Sequence, residues 1–178
     1  MAKTFQQQLI DAVNAKNNSL EHQLTVADVD FGTVEAYSPT GESDERNTKV
    51  VLTAKAESAN FTGNKEFHYY RIPGDQLIGV KTITAETTDV DNATILAALN
   101  AEMVTKGYTD DAFTVEELDI QKTDAGDGGY NYTVQVKEGH IKFQVGMIAN
   151  FQYRLPVPEK IALSGLEADL DGFTAVGG

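Results

Sequence analysis

The chain has no cysteine, few basic residues and no long apolar run. The missing thiol excludes disulfides, a cysteine nucleophile and thiolate-ligated zinc, and it is compatible with a reducing compartment. Only 14 Lys and Arg stand against 27 Asp and Glu, for a net charge of −13, and they form no cluster, so no nucleic-acid surface is expected. The acidic residues are scattered too. They imply a solvated surface and, at most, complementarity to a basic partner. No stretch approaches the roughly 20 apolar residues of a membrane span. The start, Met1-Ala2-Lys3-Thr4-Phe5 followed by three Gln, lacks the apolar core of a signal peptide.

Chemistry-bearing patterns are also scarce. His22, His68 and His140 have no second His or carboxylate at metal-ligand spacing, and the latter two are expected on strands with outward side chains. Asp124-Ala125-Gly126-Asp127-Gly128-Gly129 lacks the third ligand and distal glutamate of a calcium loop, and reads as a loop leading into a hairpin. Asp169-Leu170-Asp171-Gly172 is weaker still. The glycines form no phosphate cradle, no Gly-Lys-Ser/Thr follows them, and there is no nucleophile elbow or acid–base pair. A non-enzymatic protein with no cofactor and no metal is therefore expected.

What is present is a globular composition, 41% hydrophobic, with aromatic and β-branched residues throughout. It is also internally repetitive. Leu9-Ile10-Asp11-Ala12-Val13-Asn14-Ala15 reads like Ile95-Leu96-Ala97-Ala98-Leu99-Asn100-Ala101. Leu24 to Phe31 matches Phe113 to Ile120 in pattern, and Tyr70-Arg71-Ile72-Pro73 matches Tyr153-Arg154-Leu155-Pro156. Three matches in the same order, at offsets of 86, 89 and 83 residues, mark a duplicated unit with loop insertions.

Each copy reads as a helix, a capped turn and a hairpin. The first helix spans about Thr4 to Lys16, with Phe5, Leu9, Ala12 and Val13 on one face, Thr4 as cap and Asn17-Asn18 as stop. The second spans about Asn92 to Lys106, with Ile95, Leu99 and Met103 as its stripe, Asp91 as cap and Gly107 as terminator. Thr25 with Asp28 and Thr114 with Glu117 have capping-box spacing. Strands follow from Val50 to Ala56 and Lys65 to Arg71, then from Tyr130 to Val136 and, after a Glu138-Gly139 turn, through Ile141, Phe143 and Val145, with a bulge at Gly146 and a continuation through Ile148 to Leu155.

The fold class is α+β: tandem αββ repeats forming antiparallel sheet or sheets, with the helices packed on one face, plus an extended C-terminal arm. The division is 1–73 for the first repeat, 74–90 for a connecting segment that can add a strand at Leu77–Ile83, 91–155 for the second repeat and 156–178 for the arm. Either one four-stranded sheet or two mini-domains fits. The arm carries Ile161, Leu163, Leu166, Leu170 and Phe173, which either fold back on their own domain or bind a neighbouring subunit. Phe67, Tyr69, Tyr70, Tyr130 and Tyr132 serve as core and cross-strand pairs or line a face for a sugar, small ligand or cell-surface protein.

The run Asn47-Thr48-Lys49-Val50-Val51-Leu52-Thr53-Ala54-Lys55-Ala56, then Ser58-Ala59-Asn60-Phe61-Thr62-Gly63 and Tyr70-Arg71, resembles a repeat in virion structural proteins of tailed bacteriophages. In these a helix, a Leu-Thr-x-x-Asp-Val type of turn and a hairpin recur in tandem. Leu166 to Phe173 is similar to their C-terminal endings, whereas residues 74–90 match nothing in them. The resemblance covers most of the chain through structural motifs of low specificity. It implies a non-enzymatic place in the virion, after synthesis in the bacterial host cytoplasm. That place is capsid decoration first, tail or neck second. The implied partners are the major capsid protein or tail and neck proteins, with self-association, and without nucleic acid or membrane. No catalytic residue carries over.

Overall fold

The computed structural model describes residues 3–160, 162 and 163. Helix α1 (Phe5–Lys16) starts where the Thr4 hydroxyl accepts from the Gln7 N–H at 3.2 Å, and it buries Leu9 and Ile10. Its apolar stripe runs through Phe5, Leu9, Ile10 and Val13; Ala12, expected on that face, is exposed. A single helical turn at Val26–Asp28 follows, in which the Asp28 carboxylate accepts from the Thr25 N–H at 3.0 Å. Strands β1 (Val29–Phe31), β2 (Glu35–Ala36), β3 (Thr48–Ala54) and β4 (Asn64–Tyr69) then form an antiparallel sheet. β3 is central, with β1 and β2 on one side and β4 on the other.

The connecting segment contributes a turn at Gly74–Gln76 and β5 (Gly79–Thr84). Helix α2 (Asn92–Thr105) is capped by Asp91, whose carboxylate accepts from the Thr94 N–H at 2.8 Å, and Gly107 ends it at a φ of 96° that glycine adopts without strain. After a turn at Val115–Glu117 come β6 (Leu118–Gly126), β7 (Gly129–Val136) and β8 (Gly146–Arg154). The second sheet has the order β5-β8-β7-β6, with β5 parallel to β8 and the other pairs antiparallel. The fold is α+β, and each helix lies over one face of its own sheet. Ile95, Leu99 and Met103 pack on Tyr132, Val134, Ile148 and Phe151, while Leu9 and Ile10 pack with Val29, Val50 and Leu52.

Helix, short turn, flanking strand, central strand and return strand therefore occur in the same order twice. Side-chain bonds repeat with them. The Asn14 amide donates to the Leu24 carbonyl at 2.8 Å and accepts from the Leu24 N–H at 2.9 Å; Asn100 does the same to Phe113 at 3.0 and 2.8 Å. The Lys55 N–H donates to the Asp28 carbonyl at 2.8 Å, and that of Lys137 to the Glu117 carbonyl at 3.0 Å.

Several expectations need correction. Each copy carries three strands rather than two, because the segment after each capped turn pairs with the central strand: Val29 with Ala54, and Leu118 with Val136. Between one sheet and two, which the sequence leaves open, the copies build two. The hairpin turn of the second copy is Asp127-Gly128, with positive φ at Gly126, Asp127 and Gly128, so the glycine-rich run is the turn itself. Residues 140–145 form no return strand. They cross to the segment that follows β4, where Phe143 bridges Ile72 in parallel, and the return strand is the expected continuation beyond them, β8. The bulge lies at Ile148, between the Val134–Ala149 and Gln135–Met147 pairs.

Replacing Asn100 with Ala leaves the Phe113 N–H and carbonyl without their partner, and the expected loss is about 1–2 kcal/mol. Leu99→Ala, which empties a fully buried site, should cost about 2–5 kcal/mol. Urea unfolding followed by circular dichroism measures both, and a wild-type midpoint for Asn100→Ala would rule the amide clamp out as a structural requirement.

Candidate functional site

The two halves are locked by residues 140–143. The Ile72 N–H donates to the Lys142 carbonyl and the Gln144 N–H to the Ile72 carbonyl, both at 3.0 Å. The buried Arg71 guanidinium donates to the Thr48 hydroxyl at 2.8 Å and to the His140 carbonyl at 3.1 Å. The Lys142 ammonium donates to Asp111 Oδ2 at 2.6 Å and to the Gln8 amide oxygen at 2.8 Å, joining α1 to the second half. Phe5 is shared between the two hydrophobic cores and packs against Phe143 and His140, at ring-centroid distances of 5.8 and 4.5 Å.

His140 was expected outward; its side chain is in fact only 4% exposed. Its Nδ1 accepts from the N–H groups of Lys142 and Phe143, both at 3.1 Å, so the ring proton sits on Nε2. Nε2 has no hydrogen-bond partner, and the Glu117 carboxylate stands 3.7 Å away. Burial, reinforced by the charge of Arg71, pushes the imidazole pKa down to about 4. His68, on β4, is half-buried; it stacks on Tyr37 with ring centroids 3.9 Å apart and hydrogen-bonds Glu66 at 2.7 Å.

With that frame fixed, the first half leaves a groove of about 380 Å³ between the C-terminal end of α1 and the start of β4. Val29, Leu52 and Leu24 form its buried floor, and Val13, Phe61 and Phe67 are half-buried around it. Its polar residues, Asn17, Thr62, Asn64 and Lys65, are all exposed and lie on the rim. Leu20, on the same rim, is 46% exposed. Small-molecule sites place a few polar groups among apolar walls to orient the ligand. This groove has an apolar interior, which suits aliphatic side chains.

The second half has no such opening. The registers equate Leu52 with Val134, since they pair with Phe31 and Ile120, and then Phe67 with Phe151. Val134 and Phe151 are sealed, and so are Leu99 and Phe113, the counterparts of Val13 and Leu24. Leu77 and Ile78 close that space, and β5 pairs along the outer edge of β8. The Ile78 N–H donates to the Ile148 carbonyl at 3.1 Å, and a Cβ on Gly74 would meet the Met147 carbonyl at 2.5 Å. Among the described residues, β4 has no strand in the corresponding place and pairs with β3 alone.

Of the arm residues read from the sequence, Leu163 is 82% exposed; Ile161, Leu166, Leu170 and Phe173 lie outside the described residues. Val157, just beyond β8, is 86% exposed. The aromatic residues do not form an exposed face. Tyr132 is buried, Tyr130, Phe67 and Tyr69 pack against the cores, and Tyr70 alone of the five is exposed. The Tyr69 hydroxyl is buried without a hydrogen-bond partner, and burial pushes its pKa up to about 12. Among the described residues no group of three His, Asp or Glu is placed to hold a metal ion, and no helix is long and apolar enough to cross a membrane. Sequence reasoning missed the groove because it depends on a strand that pairs with β8 and has no equivalent on β4 among the described residues, which no motif signals.

His140 generates a pH prediction. Its folded pKa lies below the unfolded value of about 6.5, so between pH 6.5 and 4 the unfolded chain binds the extra proton. Its contribution is complete above pH 6.5 and fades as pH falls towards 4, by roughly 2–3 kcal/mol. An NMR titration of the His140 ring should give a midpoint near 4. A midpoint of 6 or above would mean that the junction admits water.

No curated protein and no solved structure matches the chain. Over residues 1–171 it matches a family described as a family of unknown function, DUF7941, and it belongs to that family.

Proposed function

We propose that this chain is a non-enzymatic structural protein of a bacteriophage virion, with decoration of the head lattice as its favoured place and the tail or neck as the second. The observation that carries the reading is the segment after β8, where Val157 and Leu163 are 86% and 82% exposed on a chain whose other large apolar residues mostly pack inward. Exposed apolar strips of this kind are stabilised by a partner surface. Two sheets locked by residues 140–143 and Phe5, with strand edges at β4 and β6, give a body suited to lateral contacts in a lattice. The resemblance of Asn47 to Ala56 and its neighbours to virion repeats is the support for reading that lattice as a virion's. The major capsid protein is the favoured partner, and the chain's own copies are the next.

Mass spectrometry of purified particles, with heads and tails separated, tests the reading. Recovery in the head fraction supports decoration, recovery with tails supports the second place, and absence from both defeats the proposal. Deleting residues 156–178 should abolish incorporation while circular dichroism of the remaining chain stays native. Full occupancy by the shortened chain would remove the arm from the account.

A further inference from the structure

We infer that the open edge of β4 and the adjoining groove are the seat of a strand donated by the C-terminal segment of a second copy. The second half shows how such a seat is filled. There β5 runs parallel to β8, pairing Gly79 through Thr84 with Ala149 through Arg154, and the preceding Leu77 and Ile78 enter the core beside Ile148. Since Phe67 corresponds to Phe151, Lys65 corresponds to Ala149, and Asn64 to the bulged pair Met147-Ile148. The groove bordered by Asn64 and Lys65 thus lies where Leu77 and Ile78 are lodged in the other half.

The edge is competent to accept a strand. The Ala54 N–H donates to the Gly63 carbonyl at 2.8 Å, which sets the ladder so that Lys65, Phe67 and Tyr69 face β3. The N–H and carbonyl groups of Asn64, Glu66 and His68 consequently point outward, as in strand-addition sites.

The donor is chosen by chemistry and by continuity. Ile161-Ala162-Leu163-Ser164-Gly165-Leu166 supplies small and aliphatic residues like those of Leu77-Ile78-Gly79-Val80, and the groove has an apolar interior for them. Glu167, Asp169 and Asp171 follow, and Lys65 on the rim has no carboxylate within 4.0 Å among the described residues. Val157 and Leu163 stand exposed rather than on their own chain's groove, which favours a second copy as acceptor. The inference extends the assembly reading above to a specific pair of surfaces, but it is decided in solution, without particles.

Sedimentation of the full chain over a concentration series, combined with zero-length carbodiimide cross-linking of mixed heavy- and light-isotope copies, tests it. The expected result is concentration-dependent association, with cross-links from Lys65 to Glu167, Asp169 or Asp171 joining heavy to light copies. Glu66→Pro, which removes one outward N–H, should abolish association, and so should a chain ending at Lys160, which leaves the β4 edge intact. A chain that stays monomeric, cross-links confined to single copies, or association that survives removal of residues 161–178 would each overturn it. A monomeric chain nevertheless recovered from virions would overturn this inference alone and leave the virion reading in place.

Discussion

Everything in the molecule depends on how residues 140–143 are held. Neither half is large enough to seal a deep core by itself. The crossing segment places Ile141 in the first core and Phe143 in the second, so two small cores share one covalent pin. Arg71 secures it with a charge-assisted bond to a backbone carbonyl, and His140 stays neutral to accept two backbone N–H groups. Lys142 and Asp111 add an ion pair whose carboxylate side chain is only 6% exposed, a contact costly to break from either side. The α1 helix is drawn in by the same pin, through Phe5 and Gln8.

On this frame the two copies diverge in one respect. The second sheet borrows a strand from the connecting segment, and its core is continuous from Leu77 to Tyr153. Among the described residues the first receives no such strand, and its core is open beside Phe61 and Phe67. The duplicated unit is thus, among the described residues, closed in the second copy and open in the first.

The helices, their caps and both central strands were legible in the sequence because their signals are local. Thr4, Asp91 and Gly107 act within one turn of where they stand, and the Ile95, Leu99, Met103 stripe has only one helical reading. The duplication was legible from three ordered matches, and Asn14 and Asn100 show its physical basis. The misreadings arose where one pattern has two causes. Ile141, Phe143 and Val145 alternate like a strand, but Ile141 and Phe143 alternate because they enter different cores. The outer half of β6, Gln121 to Asp124, is polar and exposed and carries no strand signal of its own; β7 imposes its pairing. His140 looked solvated because its partners, Arg71 and Glu117, are distant in sequence.

The parallel pairing of β5 with β8 bears on the order in which a ribosome can deliver this fold. All strands of the first sheet leave the exit tunnel before β5, so that sheet can close early. β5 must wait through α2, β6 and β7 for its partner, the kind of remote pairing that slows folding. Until β8 arrives, β7 presents Tyr132, Val134 and Val136 on an unprotected edge. Nascent chains stalled before Gly146 therefore expose that edge, and chaperones would meet the protein at that stage of translation.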